Sequence, residues 1–339
     1  MSIVLIGAGS TVFTPGLLTD LASNPAFAGW TVHLVDLDAD AAATMARLGT
    51  RIASAAGADL RFEAHTDRRA ALPGARFVAT TIAVGGAEGW NADLVVPEKH
   101  GVTQTVGDSV GPGGVLRALR HVPALVDIAA DVADLAPGAL IVNYSNPLTA
   151  NVRGIHRATG DRHVAEFFPW YLRGNDTPPG RDETLRYIGE KTSLWERLHD
   201  QAEGRAPLDP TRDQEAERLV AILASIITGR ESVELAVNLP NEGKIPNVPS
   251  SAVVEVPAVV SAAGVNGVVV GALPPAIAAV LTARAEQQEL TVSAALAGDR
   301  TLALQALALD PLVGGPATAT AILDDAVVAH APLLDGFAA

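Results

Sequence analysis

The chain has 339 residues, 48% of them hydrophobic but only 4% aromatic, and carries a formal net charge of −14. That balance belongs to a folded α/β protein with more chain than one core usually holds, and the acidity argues against nucleic acid or an anionic membrane as partner. Zero cysteines exclude disulfides and thiolate ligands, and a first strand that starts almost at once, with no signal peptide, points to a cytoplasmic protein. Ile3-Val4-Leu5-Ile6 is that strand, and it ends in Gly7-Ala8-Gly9-Ser10. Two glycines there let the backbone turn tightly and approach a pyrophosphate at the start of a helix. After a helix near Pro15 to Ala22, a second apolar run, Val32-His33-Leu34-Val35, ends in Asp36. A carboxylate at a strand tip suits a ribose diol and disfavours a 2′-phosphate, so the pair points to NAD. Asp36 follows Gly9 by 27 residues, more than the usual spacing of about 20. Val12 stands where the full glycine fingerprint wants its third glycine, so the turn taken alone also reads as a tight turn and nothing more.

Further strands are expected at Leu60 to Ala64, Phe77 to Ile82 and Leu140 to Tyr144, with helices at Ala39 to Ala56, Val115 to Leu135 and Pro147 to Thr159. Alternation of this kind gives a Rossmann-type doubly wound parallel sheet whose ligand crevice lies at the carboxyl ends of its strands. Between Val84-Gly85-Gly86 and Gly111-Pro112-Gly113-Gly114 the sequence predicts one long loop, either a lid or a glycine-rich cradle. Its glycines free backbone N–H groups, and Arg117 and Arg120 follow, so an anion or polyol is a candidate occupant. From Asp161 to Thr211 the pattern is polar and irregular. Beyond it, the sequence predicts an amphipathic helix (Gln214 to Thr228), strands at Val233 to Asn238 and Ala252 to Val256, and helices at Pro275 to Leu296, Arg300 to Leu309 and Ala317 to Leu334. The apolar stretch Val253 to Leu281 is interrupted by Glu255, Pro257, Asn266, Pro274 and Pro275, which favours strands and a turn over a membrane span. The expected organisation is a dinucleotide-binding lobe over 1–160 and a reduced mixed α/β C-terminal lobe over 161–339, for substrate and oligomerisation.

Together these segments resemble the NAD-dependent glycosidases of glycoside hydrolase family 4, which include α-galactosidases, α-glucuronidases and 6-phospho-glucosidases. The resemblance rests on Ile6 to Ser10, Val35 to Asp38, Val84 to Gly86, Pro97 with Lys99 and Gly101, Gln104 to Asp108, Gly111 to Gly114 and Asn143 to Pro147. It continues through Asn238 to Ile245, Val254 to Pro257, Gly271 to Pro274 and Ala306 to Leu312. It implies an enclosed NAD⁺ that takes hydride from the sugar, a base that removes the acidified neighbouring proton, a divalent metal, usually Mn²⁺, that stabilises the enolate, and return of the hydride after water adds. The glutamine-to-glycine run before Asp108 is similar to the unphosphorylated-sugar branch, and no arginine stands at Trp90 or Asn91, where the phospho-sugar branch would place one. An α-hexoside is the implied substrate.

By the same resemblance Gly7, Gly9, Ser10, Thr11, Asp36, Val84, Gly85 and Asn143 bind the cofactor, Asn146 touches the sugar, and Asp108 is the catalytic candidate. Asn146 also suits a cap of the helix that Pro147 begins, and Asp108 reads either as a grip on a sugar hydroxyl or metal-bound water or as a turn carboxylate. The family's metal-binding Cys-His pair is missing. The chain passes within a few residues from Gly160 to His163-Val164-Ala165-Glu166-Phe167-Phe168. That junction reads either as an internal deletion or as the strand that would have carried the pair, now with Ala165 and Glu166. His163 is the best remaining ligand candidate, and a structural histidine is its ordinary reading. His100 fits a loop surface, and Glu242 a solvated turn. No metal ligand set follows from the sequence. A small-molecule glycoside and further copies of the chain are the expected partners. Two other classes stay open: a shortened relative that keeps NAD without hydrolysis, as sugar oxidoreductase or nucleotide-binding protein, and a hydroxy-acid dehydrogenase, whose Asp-Arg-His pattern is not apparent.

Overall fold

The computed structural model describes residues 1–159, 181–209 and 218–339. Its first part runs β1 (Ser2–Ile6), α1 (Phe13–Ser23), β2 (Trp30–Val35), α2 (Ala39–Ala56), β3 (Leu60–His65), the single turn α3 (Arg68–Ala71), β4 (Ala75–Thr80), α4 (Gly86–Lys99), α5 (Gly111–Leu135), β5 (Leu140–Asn143) and α6 (Leu148–Thr159). All five strands pair in parallel in the order β3-β2-β1-β4-β5. The chain winds outward from β1 to β3, then crosses back to β4 and β5. The reversal leaves a crevice beyond the carboxyl ends of β1 and β4.

Side-chain alternation along the buried strands builds a core on each face of this sheet. Ile3 and Leu5 join Trp30, Val32 and Leu34 on one side, and Val4 and Ile6 join Val35, Val78 and Leu125 on the other. α2 starts where the Asp38 carboxylate accepts N–H bonds from Asp40 and Ala41, and stops at Gly57 in the left-handed conformation (φ 66°). The wide spacing from Gly9 to Asp36 is absorbed by a 3-10 turn, Pro25–Phe27, after α1, capped by the Asn24 side chain on Ala26 N–H at 3.1 Å.

The second part comprises α7 (Arg181–Ala202), α8 (Leu219–Thr228), β6 (Ser232–Pro240), β7 (Val253–Ser261), β8 (Gly264–Gly267), α9 (Pro275–Ala297), α10 (Arg300–Ala308) and α11 (Pro316–Ala329). β6, β7 and β8 form a small antiparallel sheet. Leu116 and Leu119 of α5 share a core with Val292, Ala306 and Ile322 of α9, α10 and α11. Arg153 of α6 pairs with Glu289 of α9 at 2.5 Å. The fold is therefore α/β, a Rossmann-type sheet with a smaller mixed second part.

Three expectations change. The long loop between Gly86 and Gly111 is mostly the helix α4, so the true loop is short and follows Lys99. Gly89, Asp93, Leu94, Val96 and Pro97 form its buried face, a helical spacing hidden by the charge at its centre. The irregular stretch before Thr211 contains the long helix α7, whose inward residues Leu198 and Ala202 pack with Met45 and Leu48 of α2. Around these inward residues Thr192, Ser193, Glu196 and Arg197 are exposed, so few buried positions mark the helix in sequence. The strand β8 is an addition, paired to β7 and too short and glycine-rich to show in a pattern.

Candidate active site

The turn after β1 is fixed from below. Gly7 and Ala8 both donate N–H bonds to the Val35 carbonyl, at 2.9 and 3.0 Å, and Ser10 Oγ accepts from Phe13 N–H at 3.2 Å where α1 begins. Gly9 donates to Asp36 Oδ2 at 2.7 Å, and Asp38 donates to the other carboxylate oxygen at 3.1 Å. A Cβ on Gly9 would stand 2.7 Å from Asp36 Oδ2, and one on Gly7, whose φ is +88°, would stand 2.7 Å from the Thr81 carbonyl carbon. Close approach thus calls for glycine at both positions, and at Gly7 the left-handed backbone calls for it as well. Val12 is the residue before α1 with φ −101°, which needs no glycine. A carboxylate retains acceptor capacity beyond these two bonds, and the N-terminus of α1 faces the same crevice. The donor set fits a dinucleotide: backbone and helix N-terminus for the pyrophosphate, Asp36 for the ribose. Thr11 is buried beside the turn.

Across the crevice, Val84 donates its N–H to His121 Nε2 at 3.1 Å, and the other ring nitrogen of His121 meets the Arg117 carbonyl at 3.0 Å. Burial, then Arg117 and Arg120, hold His121 well below the ordinary histidine value of 6.5. The ring is neutral, donating through Nδ1 and accepting at Nε2. Gly85 starts α4 with φ +88°. Asn143, at the tip of β5, is built into the scaffold: its amide oxygen accepts from Thr80 Oγ1 at 2.8 Å and from Ser145 N–H, and its Nδ2 donates to the Ser145 carbonyl at 2.9 Å. Asn151 Nδ2 donates to the same carbonyl at 2.8 Å. Ser145 Oγ and Asn151 Oδ1 are buried there without a partner, which marks the mouth of β5 as polar ground awaiting a ligand or water.

Asp108 and Asn146, 38 positions apart, meet: Asn146 Nδ2 donates to Asp108 Oδ2 at 2.8 Å, and Ser109 Oγ donates to Oδ1 at 2.8 Å. The Asn146 side chain is therefore turned to Asp108. Arg117 completes the group, donating from Nε to the Asn146 carbonyl at 3.1 Å and lying 5.8 Å from the Trp90 ring centre. Burial lowers the Arg117 pKa, opposed by the charge of Asp108. Trp90 Nε1 donates to the Val106 carbonyl at 2.7 Å, tying α4 to the loop that carries Asp108.

Other expected ligand groups are held by protein partners. Arg120 is fully buried in a two-bond pair with Asp93, 2.8 Å on each arm, with His330 3.1 Å from the same carboxylate. It is not available to an anion. The Gly113 N–H is taken by Gln104 Oε1 at 2.9 Å. Cβ atoms on Gly113 and Gly114 would meet the Gly107 carbonyl oxygen at 2.5 Å and Ser109 at 2.6 Å, so these glycines seat the Asp108 loop against α5. His100 sits at the end of α4, 3.1 Å from Asp325, and Glu242 pairs with Lys244 at 3.3 Å in its turn. His163 and Glu166 lie outside the described residues. Among the described residues, the one grouping of three metal-type ligands is His33, Glu63 and His65 on β2 and β3, with β1 and β4 between it and β5. The described residues at the β5 mouth thus do not present a metal set for the sugar site. His121 and the Ser145–Asn151 pair escaped the sequence reading. Arg117 and His121 share a helix face at i, i+4, a signal that was available, whereas the orphaned atoms show only in three dimensions.

The profile described as family 4 glycosyl hydrolase matches residues 2–166, and that of the family's C-terminal domain matches residues 154–313. The chain is 28% identical to an alpha-galactosidase of Rhizobium meliloti, over 99% of this chain and 89% of that protein. It is 29% identical to an alpha-glucosidase of Erwinia rhapontici, over 91% of this chain and 93% of that one. The fold matches the crystal structure of a 6-phospho-alpha-glucosidase from gut microorganisms in complex with NAD and Mn²⁺, with TM-score 0.82, 19% identity and 98% of each chain covered. The Rhizobium alignment runs over 440 positions against the 339 residues here, so roughly a hundred positions have no counterpart. The two profiles overlap at 154–166.

Proposed function

The chain belongs to family 4 of the glycosyl hydrolases, and from that premise we propose that it is an NAD- and divalent-metal-dependent glycosidase cleaving α-hexosides by redox-assisted elimination. The carrying observation is that one end of one sheet holds both a dinucleotide turn, closed by the Gly9–Asp36 bond, and the Asp108–Asn146–Arg117 group. Gly7, Gly9, Ser10 and Thr11 present the phosphate-binding turn, Asp36 accepts from the adenosine ribose, and Val84, Gly85 and Asn143 wall the nicotinamide side. Bound NAD⁺ supplies a hydride acceptor that becomes the donor later in the same turnover. Asn146 orients the sugar hydroxyls, able to donate and accept at once. Asp108, the catalytic residue of this reading, holds a hydroxyl or a water proton through its carboxylate. Arg117 positions both through the Asn146 carbonyl and its field.

The α-galactosidase and α-glucosidase relatives support an unphosphorylated α-hexoside, as does a Trp90 committed to the Val106 carbonyl where a phosphate-binding arginine would otherwise stand. The described residues offer no metal set at this site. We take 1–160 as the cofactor lobe and 161–339 as the shortened substrate lobe, in a cytoplasmic homo-oligomer. No described helix is long and apolar enough to cross a membrane. A second reading, an NAD-binding relative without hydrolysis, draws on the missing Cys-His pair and on the shorter chain.

The test is nitrophenol release from α- and β-nitrophenyl hexosides and hexuronides, with NAD⁺ and Mn²⁺ each present or omitted. Release that vanishes without NAD⁺ is expected. Asp108→Asn and Asn146→Ala should each lower turnover by about 100-fold, the ordinary scale for a positioned acid–base group, while leaving NAD⁺ affinity unchanged. No release from any sugar by a protein that still binds NAD⁺ would establish the second reading instead.

A further inference from the structure

His33 on β2 and Glu63 and His65 on β3 share one face of the large sheet. The parallel register sets His33 beside Glu63 and Val35 beside His65, and the two-residue step from Glu63 to His65 keeps both side chains on that face. The donor atoms converge. His33 Nδ1 is 2.9 Å from His65 Nε2 and 3.4 Å from Glu63 Oε2, and His65 Nε2 is 3.8 Å from the same oxygen. A tetrahedral ion bound at about 2.0–2.1 Å has ligand–ligand edges of about 3.3–3.4 Å, and the three observed separations straddle that value.

We propose that His33, Glu63 and His65 form a binding site for a divalent transition ion of the zinc class, separate from the sugar site. Two imidazoles with one carboxylate select such an ion over calcium or magnesium, which favour all-oxygen shells. The side chain of Glu63 is 54% exposed, against 16% for His33 and 21% for His65. The open side lies toward the carboxylate and admits a water as fourth ligand. The ion clips the edge strand β3 to β2, a strand whose outer groups otherwise face solvent. It also braces the chain at Asp36, whose N–H donates to the His65 carbonyl at 3.1 Å. Without an ion the same contacts amount to an imidazole–imidazole hydrogen bond flanked by a carboxylate, so direct binding has to decide.

The full chain, without a histidine tag and stripped with chelator, is titrated with Zn²⁺ by calorimetry and with Co²⁺ by visible absorption. A site of micromolar or tighter affinity is expected, with the intense d–d bands of four-coordinate Co²⁺ and a rise in Tm on Zn²⁺ addition. His33→Asn/His65→Asn should abolish that site, and Glu63→Gln, at an exposed position that folding tolerates, should weaken it by about 10-fold, the lower end for loss of a metal-binding group. Zn²⁺ binding that is absent in the wild type, or unchanged in Glu63→Gln and the double variant alike, overturns the proposal. Neither readout depends on glycoside cleavage, so failure of the glycosidase reading leaves this test intact.

Discussion

Asp36 receives the Gly9 and Asp38 N–H groups, and the proposed ribose contact would draw on its remaining acceptor capacity. Asp36→Ala removes charge-assisted bonds worth about 1.5–3 kcal/mol, so the Kd for NAD⁺ should rise about 10- to 100-fold by calorimetry. An unchanged Kd would move the ribose contact elsewhere. His121 offers a different test, through pH. Its folded pKa lies well below the ordinary 6.5, because of burial and then Arg117 and Arg120. Below 6.5 the unfolded chain takes a proton that the folded chain refuses, so stability falls as the pH drops from 6.5, approaching about 1.4 kcal/mol per pH unit for this one group. Above 6.5 both states are neutral and the contribution is level. His121→Gln keeps an acceptor for Val84 without the titration, and unfolding measured between pH 7 and 5 should show a shallower slope than wild type. Equal slopes would mean that other groups govern acid unfolding.

At the scale of elements, the loop bearing Asp108 is held by backbone packed on the glycines that open α5. Gly114→Ala forces its new methyl against Ser109, an overpacking cost of about 1–3 kcal/mol. Thermal unfolding should fall by several degrees, with turnover dropping further than stability alone explains, because Asp108 moves away from Asn146. A Tm within experimental error of wild type would show that the loop yields freely. What the sequence disclosed follows the same division. β1, β2, β4 and β5 were legible as short apolar runs, the edge strand β3 by the alternation of Leu60, Phe62 and Ala64 with polar residues, and α2 because Asp38 and Gly57 punctuate it. α4 was not, since Asp93 sits in the middle of its buried face and its Arg120 partner comes 27 positions later. Asp108 was legible as a polar residue in a glycine-rich loop, between α4 and α5, and Asn146 as one in the loop after β5. Their mutual bond was not, because it depends on how α5 carries one loop over the mouth of β5.

Taken whole, the chain retains the large sheet and the helices that pack on α5 while having roughly a hundred positions fewer than the 440 of its alignment to a relative. The small sheet leaves several apolar side chains exposed, with Asn266 beside Val259 as a polar neighbour. Val233 and Val259 face each other across β6 and β7 at 62% and 38% exposure, with Leu235 at 82% on the same strand and Val269 at 69% just beyond β8. Scattered exposed apolar residues are ordinary, but neighbours on one sheet face form a patch of the kind that marks an interface. A stable interface hides about 1,200–2,000 Å² in total, so the sheet needs adjoining elements to join it, and a two-fold pairing of the same face on each copy is the simplest closure. Light scattering on the full chain should give a dimer or a larger even assembly at micromolar concentration. Leu235→Glu with Val233→Glu sets like charges against each other across that two-fold and should yield a monomer that still binds NAD⁺, because the cofactor turn lies on the other sheet. An assembly unaffected by both charges would place the contact on another face, and a wild-type monomer at every concentration would leave the patch without a partner copy.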